Sequence, residues 1–339
     1  MSMLRLLWNG MLSQSRYSVV RTALHYDMSV VGIKRGYNGV LMKSENPSDD
    51  YIELTRSSVA EIVHRGGTML MTARCLEFKQ RENQIKAIEN LRSIGVEGLV
   101  AIGGDGTFAG AAKLTELGFP TVGIPGTIDN DLPLTDHTPG YGSAAKYLAI
   151  TMNEIIQDTA IYAVPAVTIV EIMGRNAGWL TLAAGLPRFT GGTKPDIIAL
   201  PEVPFDEEDF LRQVRDTLRH SPNVVAAVSE GIRDRNGDYV GSSAKSGAVD
   251  TFGHAYLSGV GKYLEGLVKR EIGCKVRSIE LNLMQRCSAH LASLADIEEA
   301  FAIGRAGVAA AVRGETGRMV AVVLLADSPY AVRVRTVAL

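Results

Sequence analysis

The sequence predicts an α/β protein with mainly parallel sheets, arranged as two lobes. Apolar segments of strand length alternate with helical patterns along the whole chain, which is typical of strand–helix–strand units. The length of 339 residues is too great for one ordinary domain and suggests about two. Several predicted strands end in segments rich in Gly, Asp, Glu or Arg. Because ligands bind at the carboxyl ends of strands in open parallel sheets, these segments are expected to converge on one cleft or on two facing clefts.

Composition and charge exclude several classes of protein. A hydrophobic fraction of 46% and a charged fraction of 21% are typical of a folded globular chain. With 35 basic and 37 acidic residues the net charge is −2, so the sequence predicts neither nucleic-acid binding nor attachment to an anionic membrane. The cysteines are Cys75, Cys274 and Cys287, a set that argues against a disulfide scaffold and a structural zinc site. A cytoplasmic location is the simplest expectation.

The elements of the first half follow from local patterns. Gly-rich turn chemistry at residues 35–39 ends the second strand, and Gly95 is a natural stop for the helix before it. The predicted strands are residues 4–8, 29–33, 96–102 and 120–124. The predicted helices are residues 14–26, residues 80–94 and a segment that ends at Leu117.

The second half repeats this alternation. A polar stretch rich in Gly and Ser at residues 233–253 predicts a long surface loop. The predicted strands are residues 167–172, 196–200, 223–228, 275–280 and 319–325. The predicted helices are residues 255–270, residues 296–313 and a segment that follows Gly178.

A Gly-rich loop at residues 103–107 (GGDGT) joins a buried strand to a helix. Glycines let the backbone approach phosphate oxygens, and a helix N-terminus offers N–H groups to an anion. Asp105 within this loop suits Mg²⁺, which prefers carboxylate and water oxygens. A plain Gly-rich turn remains an alternative, as does a dinucleotide fingerprint that begins at Gly104. The loop is therefore a candidate phosphate site with Asp105 as the candidate metal ligand.

The next strand ends in residues 125–131 (PGTIDND), which place Asp129 and Asp131 two residues apart. Two neighbouring carboxylates can divide the work, one accepting a hydroxyl proton and the other orienting metal or phosphate. Thr127 can donate its hydroxyl to a transferred phosphate. A solvated Asx turn would explain the same residues without function. One strand after a phosphate loop, the pair indicates a phosphoryl-transfer site.

Three loops together resemble the signature loops of the 6-phosphofructokinases, and the supporting matches occur in the same order from about residue 20 to 325. The three loops are GGDGT at 103–107, PGTIDND at 125–131 and MGR at 173–175. The supporting matches are RGGT at 65–68, TAR at 72–74, PE at 201–202, SE at 229–230 and QR at 285–286. The resemblance implies two Rossmann-like three-layer lobes with the active site in the cleft between them. It assigns residues 1–142 and about 286–325 to a donor lobe, and residues 143–285 with the C-terminal residues to a sugar-phosphate lobe.

The resemblance also implies a reaction, transfer of a phosphoryl group to the 1-hydroxyl of fructose 6-phosphate in glycolysis. Asp129 would be the base and Asp105 would hold Mg²⁺. The implied catalytic residues are Asp129, Thr127, Asp131, Arg74 and Arg175. The implied donor-binding residues are Arg74, Cys75, Gly104, Asp105, Gly106 and Thr107. The implied substrate-binding residues are Thr127, Ile128, Asp129, Met173, Gly174, Arg175, Glu230, Arg277 and Arg286. Arg277 would reach in from a neighbouring subunit, which implies a homodimer or a homotetramer.

Two glycines favour ATP as the donor. The pyrophosphate-dependent branch of the family typically carries Asp where Gly106 stands and Lys where Gly126 stands. The glycines leave room for a nucleotide, so ATP is expected and pyrophosphate is the alternative. A catalytically weak or inactive regulatory paralogue is a further alternative, and the presence of Asp105, Asp129 and Asp131 argues against it.

The chain departs from the usual family pattern at several positions. The first donor loop usually reads GGDxPGxN, whereas residues 4–12 read LRLLWNGML. Bacterial ATP-dependent members often carry Arg in place of Ala166 and His in place of Leu283, both near the sugar 6-phosphate. His290 is a candidate replacement for the missing positive charge. The chain also carries NAGW at 176–179, which is typical of a divergent branch.

Overall fold

The secondary structure alternates between strands and helices in the computed structural model, which describes residues 3–8, 13–241 and 259–339. The strands are β1 (Met3–Trp8), β2 (Ser29–Ile33), β3 (Tyr51–Leu54), β4 (Gly98–Gly103), β5 (Thr121–Pro125), β6 (Ala166–Ile172), β7 (Ile197–Ala199), β8 (Asn223–Ser229), β9 (Lys275–Glu280), β10 (Arg318–Asp327) and β11 (Tyr330–Ala338). The helices are α1 (Ser13–His25), α2 (Tyr37–Val40), α3 (Arg81–Ser93), α4 (Asp105–Glu116), α5 (Tyr141–Ala160), α6 (Trp179–Ala183), α7 (Glu207–Leu218), α8 (Val260–Glu271), α9 (Met284–Cys287) and α10 (Leu294–Val312).

The chain divides into two compact units. The first comprises Met1–Gly142 and Ala292–Leu339, and the second comprises Ser143–Leu291. The residues after 325 were expected in the second lobe, and this expectation is wrong. Strand β11 pairs antiparallel with β10 from Arg318 opposite Ala338 onward, so it belongs to the first sheet. The return to the first unit also comes at Ala292 rather than at about residue 286.

The first unit contains a seven-stranded sheet in the order β11-β10-β5-β4-β1-β2-β3. The two edge pairs, β10 with β11 and β2 with β3, are antiparallel and the other pairs are parallel. The chain builds outward from β1 to β2 on one side and continues with β4 and β5 on the other. The strand order therefore reverses between β1 and β4, and ligands of open α/β sheets bind at such a switch point.

The second unit contains a four-stranded sheet in the order β7-β8-β6-β9, and all of its strands are parallel. The central strand β6 is paired along its length, with Ile172 opposite Ser229 of β8 and Glu171 opposite Glu280 of β9. These three strands end level with one another. The loops that follow β6, β8 and β9 therefore leave the sheet at the same edge.

Helices cover both faces of each sheet, and alternate side chains along a strand pack against opposite faces. In β4, Val100 and Ile102 pack with α1 and α10, whereas Leu99 and Ala101 pack with α3 and α4. In the second unit Val167 and Ile169 of β6 pack with α7 and α8. On the opposite face of β6, Thr168 accepts a hydrogen bond from the hydroxyl of Thr159 in α5, at 3.0 Å. Each unit is thus a three-layer α/β structure, as the sequence predicted.

Most predicted elements are present, with ends that differ by a few residues. The sequence patterns do not predict β3, β11, α2, α5, α7 or α9. The predicted helix at 255–270 corresponds to α8, and residues 255–258 lie outside the described residues. The predicted loop at 233–253 is described only as far as residue 241. Across the described ranges, no helix is long and apolar enough to span a membrane.

Candidate functional site

The loops after β4 and β5 lie against one another in the first unit. Parallel pairing places Gly103 opposite Pro125, and the Gly126 N–H donates to the Gly103 carbonyl oxygen at 2.9 Å. A Cβ atom built on Gly104 would lie 3.3 Å from the Cβ of Thr127. The structure therefore brings the GGDGT and PGTIDND loops together, as expected from neighbouring parallel strands.

The GGDGT loop places Asp105 in the first turn of α4. Asp105 and Gly106 are exposed there, while Thr107 is buried. The Tyr37 hydroxyl donates to the Thr107 carbonyl oxygen at 2.6 Å, and the Tyr37 ring stacks on Phe78 with centroids 4.1 Å apart. Tyr37 thus supports the N-terminal turn of α4. The sequence predicts only a turn at this tyrosine, because no local pattern links it to a residue 70 positions away.

The loop after β5 orients a hydroxyl and a carboxylate together. Thr127 Oγ1 accepts the Asp129 N–H at 3.2 Å, so the threonine can use its own hydrogen to donate to a ligand. Between them Ile128 is buried and anchors the turn. Asn130 has a φ of 55°, and its Oδ1 accepts the Thr138 N–H at 2.8 Å. The buried Ile128 and the hydrogen bond of Asn130 therefore hold the turn in place.

Asp105 and Asp131 interact electrostatically. Partial burial of the Asp131 carboxyl raises its pKa, and the negative charge of Asp105 raises it further. A divalent cation beside Asp105 would relieve this repulsion, so the residues fit Mg²⁺. Among the described residues no group of three or more His, Cys, Asp or Glu side chains could hold a metal ion. A magnesium ion here would therefore take most of its ligands from phosphates and water, which is usual for Mg²⁺.

The return segment that follows this loop, residues 132–140, is held in place by polar contacts. The Thr138 hydroxyl donates to the Thr127 carbonyl oxygen at 2.8 Å, and Gly140 forms a parallel bridge with Thr127. The Gly140 N–H donates to Asp296 Oδ1 at 2.7 Å. No function is expected of α10 from the sequence, although Asp296 lies on its buried face. That signal was available, since a carboxylate on an apolar helix face needs a partner.

His137 and Glu299 form an ion pair on the same return segment. Nε2 of His137 lies 2.6 Å from Oε2 of Glu299, and the Tyr330 hydroxyl donates to Oε1 of the same carboxylate. Burial alone would lower the pKa of His137. The hydrogen bond and charge of Glu299, together with Asp296 and Asp136, outweigh burial and raise it. The protonated imidazole is thus stabilised in the folded protein.

This ion pair predicts a pH-dependent stability. Because the folded-state pKa of His137 is raised, its contribution is complete below the ordinary value of about 6.5 and is lost as pH rises through the folded value. The melting temperature of the protein should therefore exceed that of His137→Gln by more at about pH 6 than at about pH 9. Calorimetry at both pH values measures the difference. An identical difference at both would contradict the assignment.

The segment that carries Arg74 and Cys75 lies beside the support of α4. The Arg74 carbonyl oxygen accepts the Asn38 side-chain amide at 3.0 Å, and Asn38 follows Tyr37 in the chain. Cys75 precedes a short helical turn, Leu76–Lys79, and burial raises the pKa of its thiol. The backbone at Arg74 thus lies beside the segment that supports the N-terminal turn of α4.

In the second unit three loops meet beyond the ends of β6, β8 and β9. The Met173 N–H donates to Oε1 of the buried Gln285 at 3.2 Å. The Ser229 hydroxyl donates to the Gly174 carbonyl oxygen at 2.5 Å. A Cβ atom on Gly231 would lie 2.1 Å from the carbonyl oxygen of Arg175, so only glycine fits. The structure therefore brings the MGR, SE and QR motifs together.

Two further hydrogen bonds hold Glu230 and Gly178 beside these loops. The Glu230 N–H donates to the Ile172 carbonyl oxygen at 2.8 Å, which fixes Glu230 at the end of β8. The Gly178 N–H donates to Oε1 of Glu202 at 2.7 Å, which joins the PE motif to the residues after MGR. Arg286 lies exposed on α9, next to Gln285.

Arg277 is separate from these loops. It lies within the edge strand β9, opposite Thr168 of β6, rather than at a strand end. Its guanidinium pairs with Asp158 at 3.4 Å and donates to the Tyr162 hydroxyl. Arg277 therefore lies away from the loops that follow β6 and β8 in its own unit.

The positions at which the chain departs from the family pattern are described only in part. Residues 9–12 of the altered first loop lie outside the described residues. Ala166 is buried at the start of β6, at the opposite end of this strand from Met173. Leu283 and His290 are exposed.

A Gly-rich loop at a helix N-terminus, flanked by carboxylates at the ends of parallel strands, is typical of α/β proteins that bind phosphorylated ligands. Residues 10–309 match the family model described as phosphofructokinase. The match covers most of the chain, and the chain belongs to the phosphofructokinase family.

Similar proteins include both donor types. The ATP-dependent 6-phosphofructokinase of Teredinibacter turnerae is 37% identical over 281 residues, which cover 78% of this chain and 84% of that protein. The pyrophosphate–fructose 6-phosphate 1-phosphotransferase of Methylococcus capsulatus is 33% identical over 332 residues, 95% of this chain and 78% of that one. A crystal structure of the pyrophosphate-dependent phosphofructokinase from Marinobacter aquaeolei matches with a TM-score of 0.82 and 27% identity, covering 100% of this chain and 83% of that one.

Proposed function

We propose that this chain transfers the γ-phosphoryl group of ATP to the 1-hydroxyl of fructose 6-phosphate. The observation that carries the choice of ATP is the space around Gly106. This residue is exposed in the first turn of α4, and a Cβ atom built on it has no other atom within 4 Å. A nucleotide α-phosphate can approach such a surface, whereas an acidic side chain there would oppose it.

The residues of the first unit supply the donor site and the base. The N–H groups at the start of α4 bind phosphate oxygens, and Arg74 adds positive charge. Thr127 donates its hydroxyl to the transferred phosphoryl group. Asp129, held two residues away by its own N–H on Thr127, accepts the proton of the sugar hydroxyl. As Asp129 takes this proton, the sugar oxygen bonds to the γ-phosphorus of ATP. The bond from that phosphorus to the bridging oxygen breaks, and ADP leaves.

Asp105, with Asp131 beside it, is proposed to hold Mg²⁺ together with the donor phosphates. When bound, the ion neutralises negative charge on these phosphates. Asp105 and Asp131 need no other protein ligand for this, because Mg²⁺ commonly keeps several waters.

The residues of the second unit are proposed to hold the sugar phosphate. Met173, Gly174, Arg175 and Glu230 bind the sugar, and Arg286 binds its 6-phosphate. Arginine suits phosphate because its planar guanidinium donates two parallel hydrogen bonds. Arg277 is proposed to serve the site of a neighbouring subunit, which makes the protein at least a dimer.

Pyrophosphate is the second candidate donor. The relative from Methylococcus capsulatus, named for pyrophosphate, aligns with 95% of this chain, and so it supports this alternative. A coupled assay that follows fructose 1,6-bisphosphate, with Mg²⁺ and either ATP or pyrophosphate, separates the two. A higher kcat/KM with pyrophosphate would refute the choice of ATP. No turnover with either donor, despite binding of fructose 6-phosphate, would support a regulatory paralogue instead.

The donor assignment predicts the effect of Gly106→Asp. Two like charges about 4 Å apart repel by about 4 kcal/mol at an effective dielectric constant near 20. This variant should raise KM for ATP at least about tenfold and leave KM for fructose 6-phosphate nearly unchanged. Gly106→Ala fills the same open position without charge and is the matched control. An equal rise in KM for ATP in both variants would contradict an electrostatic cause.

Adding Gly126→Lys to Gly106→Asp is expected to shift the preference toward pyrophosphate, because the ammonium group supplies a counter-charge. A Cβ atom on Gly126 would lie 3.3 Å from Cγ2 of Ile102, so Ile102 must move by a few tenths of an ångström. The ratio of kcat/KM for the two donors measures the shift. A ratio no different from that of Gly106→Asp alone would count against the role of residue 126.

A further inference from the structure

Helix α10 carries two carboxylates that contact the return segment of the Asp129 loop, residues 132–140. Asp296 and Glu299 are three residues apart, so they lie on one face of the helix, and they are only 2% and 5% exposed. Asp296 Oδ1 accepts the Gly140 N–H at 2.7 Å, and Glu299 Oε2 lies 2.6 Å from His137 Nε2. A buried carboxylate is costly unless hydrogen-bonded, so both contacts are strongly favoured.

Gly140 transmits this restraint to the catalytic turn. It bridges Thr127 in parallel fashion and has a φ of 114°, which favours glycine. A Cβ atom there would lie 3.3 Å from the Thr127 carbonyl oxygen. Thr127 in turn accepts the Asp129 N–H. A continuous path of hydrogen bonds and close contacts thus runs from Asp296 through Gly140 and Thr127 to Asp129.

The helix that carries Asp296 is itself held firmly. A Cβ atom on Gly304 would lie 2.6 Å from Cβ of Ser18 in α1, and one on Gly307 would lie 2.4 Å from Cδ1 of Ile124. Ile124 belongs to β5, the strand that leads into the Asp129 loop. These approaches are so close that α10 cannot slide relative to β5 without steric overlap. The carboxylate of Asp296 is therefore a fixed point relative to the strand before Asp129.

We propose that Asp296 is a positioning residue for the base Asp129, acting through Gly140 and Thr127, with Glu299 supporting the same segment through His137. This inference rests on the proposed phosphoryl transfer, in which Asp129 must lie within hydrogen-bond reach of the sugar hydroxyl. Misplacement of a reacting group by about 1 Å can cost about a hundredfold in rate. The position of the base thus depends on two segments that are far apart in the sequence, residues 127–140 and α10.

The experiment compares variants at neighbouring positions of α10. Asp296→Ala should lower kcat about 10- to 100-fold, with KM for fructose 6-phosphate within about threefold of the wild type. Asp296→Asn keeps an oxygen that accepts the Gly140 N–H, so kcat should stay within about threefold. Glu298→Ala is the matched control, because Glu298 is an exposed carboxylate on the same helix. All rates are taken per folded molecule, with folding measured by thermal melting.

A double-mutant cycle separates positioning from general stability. In an Asp129→Ser background, Asp296→Ala should cost at most about threefold in the remaining rate, since the group it positions is gone. A full 10- to 100-fold cost in that background would overturn the proposal. So would a kcat of Asp296→Ala within threefold of the wild type. If Asp296→Ala does not fold, Asp296→Glu replaces it, keeping the charge but displacing the oxygen, and should lose at least about fivefold in kcat.

Hydrogen exchange tests the same contact without turnover. Amides of residues 127–140 should exchange faster in Asp296→Ala than in the wild type or in Glu298→Ala. Unchanged exchange in this segment would overturn the proposal. A wild type that turns over neither ATP nor pyrophosphate would instead refute the proposed function. The exchange measurement would still decide whether Asp296 holds the loop.

Discussion

Replacing Asp129 by serine is expected to lower kcat by about two to four orders of magnitude, with little change in KM for fructose 6-phosphate. The carboxylate is proposed to accept the proton of the sugar hydroxyl, and serine cannot accept it at neutral pH. Binding should survive, because most of the groups proposed to hold the sugar belong to the loops around Met173 and Glu230. Steady-state kinetics of purified Asp129→Ser with the preferred donor measures both constants.

A control and a stricter variant sharpen this result. Asp129→Asn keeps the shape of the side chain and should lose nearly as much kcat, since the amide is not a base. Asp136→Asn changes a carboxylate later in the same loop, where an amide oxygen can still accept the Leu324 N–H, and should retain most activity. If kcat of Asp129→Ser stays within about threefold of the wild type, another group removes the proton.

Replacing Asp105 by alanine is expected to reduce kcat/KM by at least about a hundredfold, even in excess Mg²⁺. Asp105 is the exposed carboxylate in the first turn of α4, and the charge of Asp131 lies close enough to interact with it. Without Asp105 the donor phosphates would lack the protein ligand proposed for their metal, and charge on them would be less well neutralised. The rate is measured as a function of Mg²⁺ concentration.

The metal titration distinguishes a lost ligand from a damaged helix. Asp105→Ala should need a markedly higher Mg²⁺ concentration for half-maximal rate, whereas melting temperature should change little because Asp105 is exposed. Glu116→Ala, at the other end of α4, removes an exposed carboxylate and should leave the Mg²⁺ dependence unaltered. An unchanged Mg²⁺ requirement in Asp105→Ala would sink the assignment of this residue to the metal.

The sequence predicted the fold class and the grouping of motifs because both depend on local patterns. A buried strand at residues 96–102 followed by GGDGT already indicates a strand, a tight turn and a helix N-terminus. Parallel pairing then brings the ends of β4 and β5 together, so the contact of Gly104 with Thr127 follows from topology. The same reasoning predicted that the loops after β6 and β8 would lie together.

Contacts between distant segments could not be predicted in this way. Asp296 and Gly140 are 156 residues apart, and no local pattern pairs a carboxylate with one particular backbone N–H. The final strand was missed for another reason. Residues 332–335 (VRVR) alternate apolar and charged side chains, which is a strand signal, but the chain was expected to leave the first lobe at about residue 325. Antiparallel return beside β10 required knowledge of a sheet edge.

The discontinuous first unit has a consequence for the order of biosynthesis. The ribosome completes the whole second unit, Ser143–Leu291, before it makes α10. Throughout that interval the nascent Asp129 loop lacks the helix whose Asp296 accepts the Gly140 N–H. A chain stalled anywhere before Ala292 lacks this contact and also the residues of α10 and β10 that complete the core of the first unit. The first unit, with its candidate donor site, can therefore reach its final structure only after Ala292–Leu339 has been synthesised.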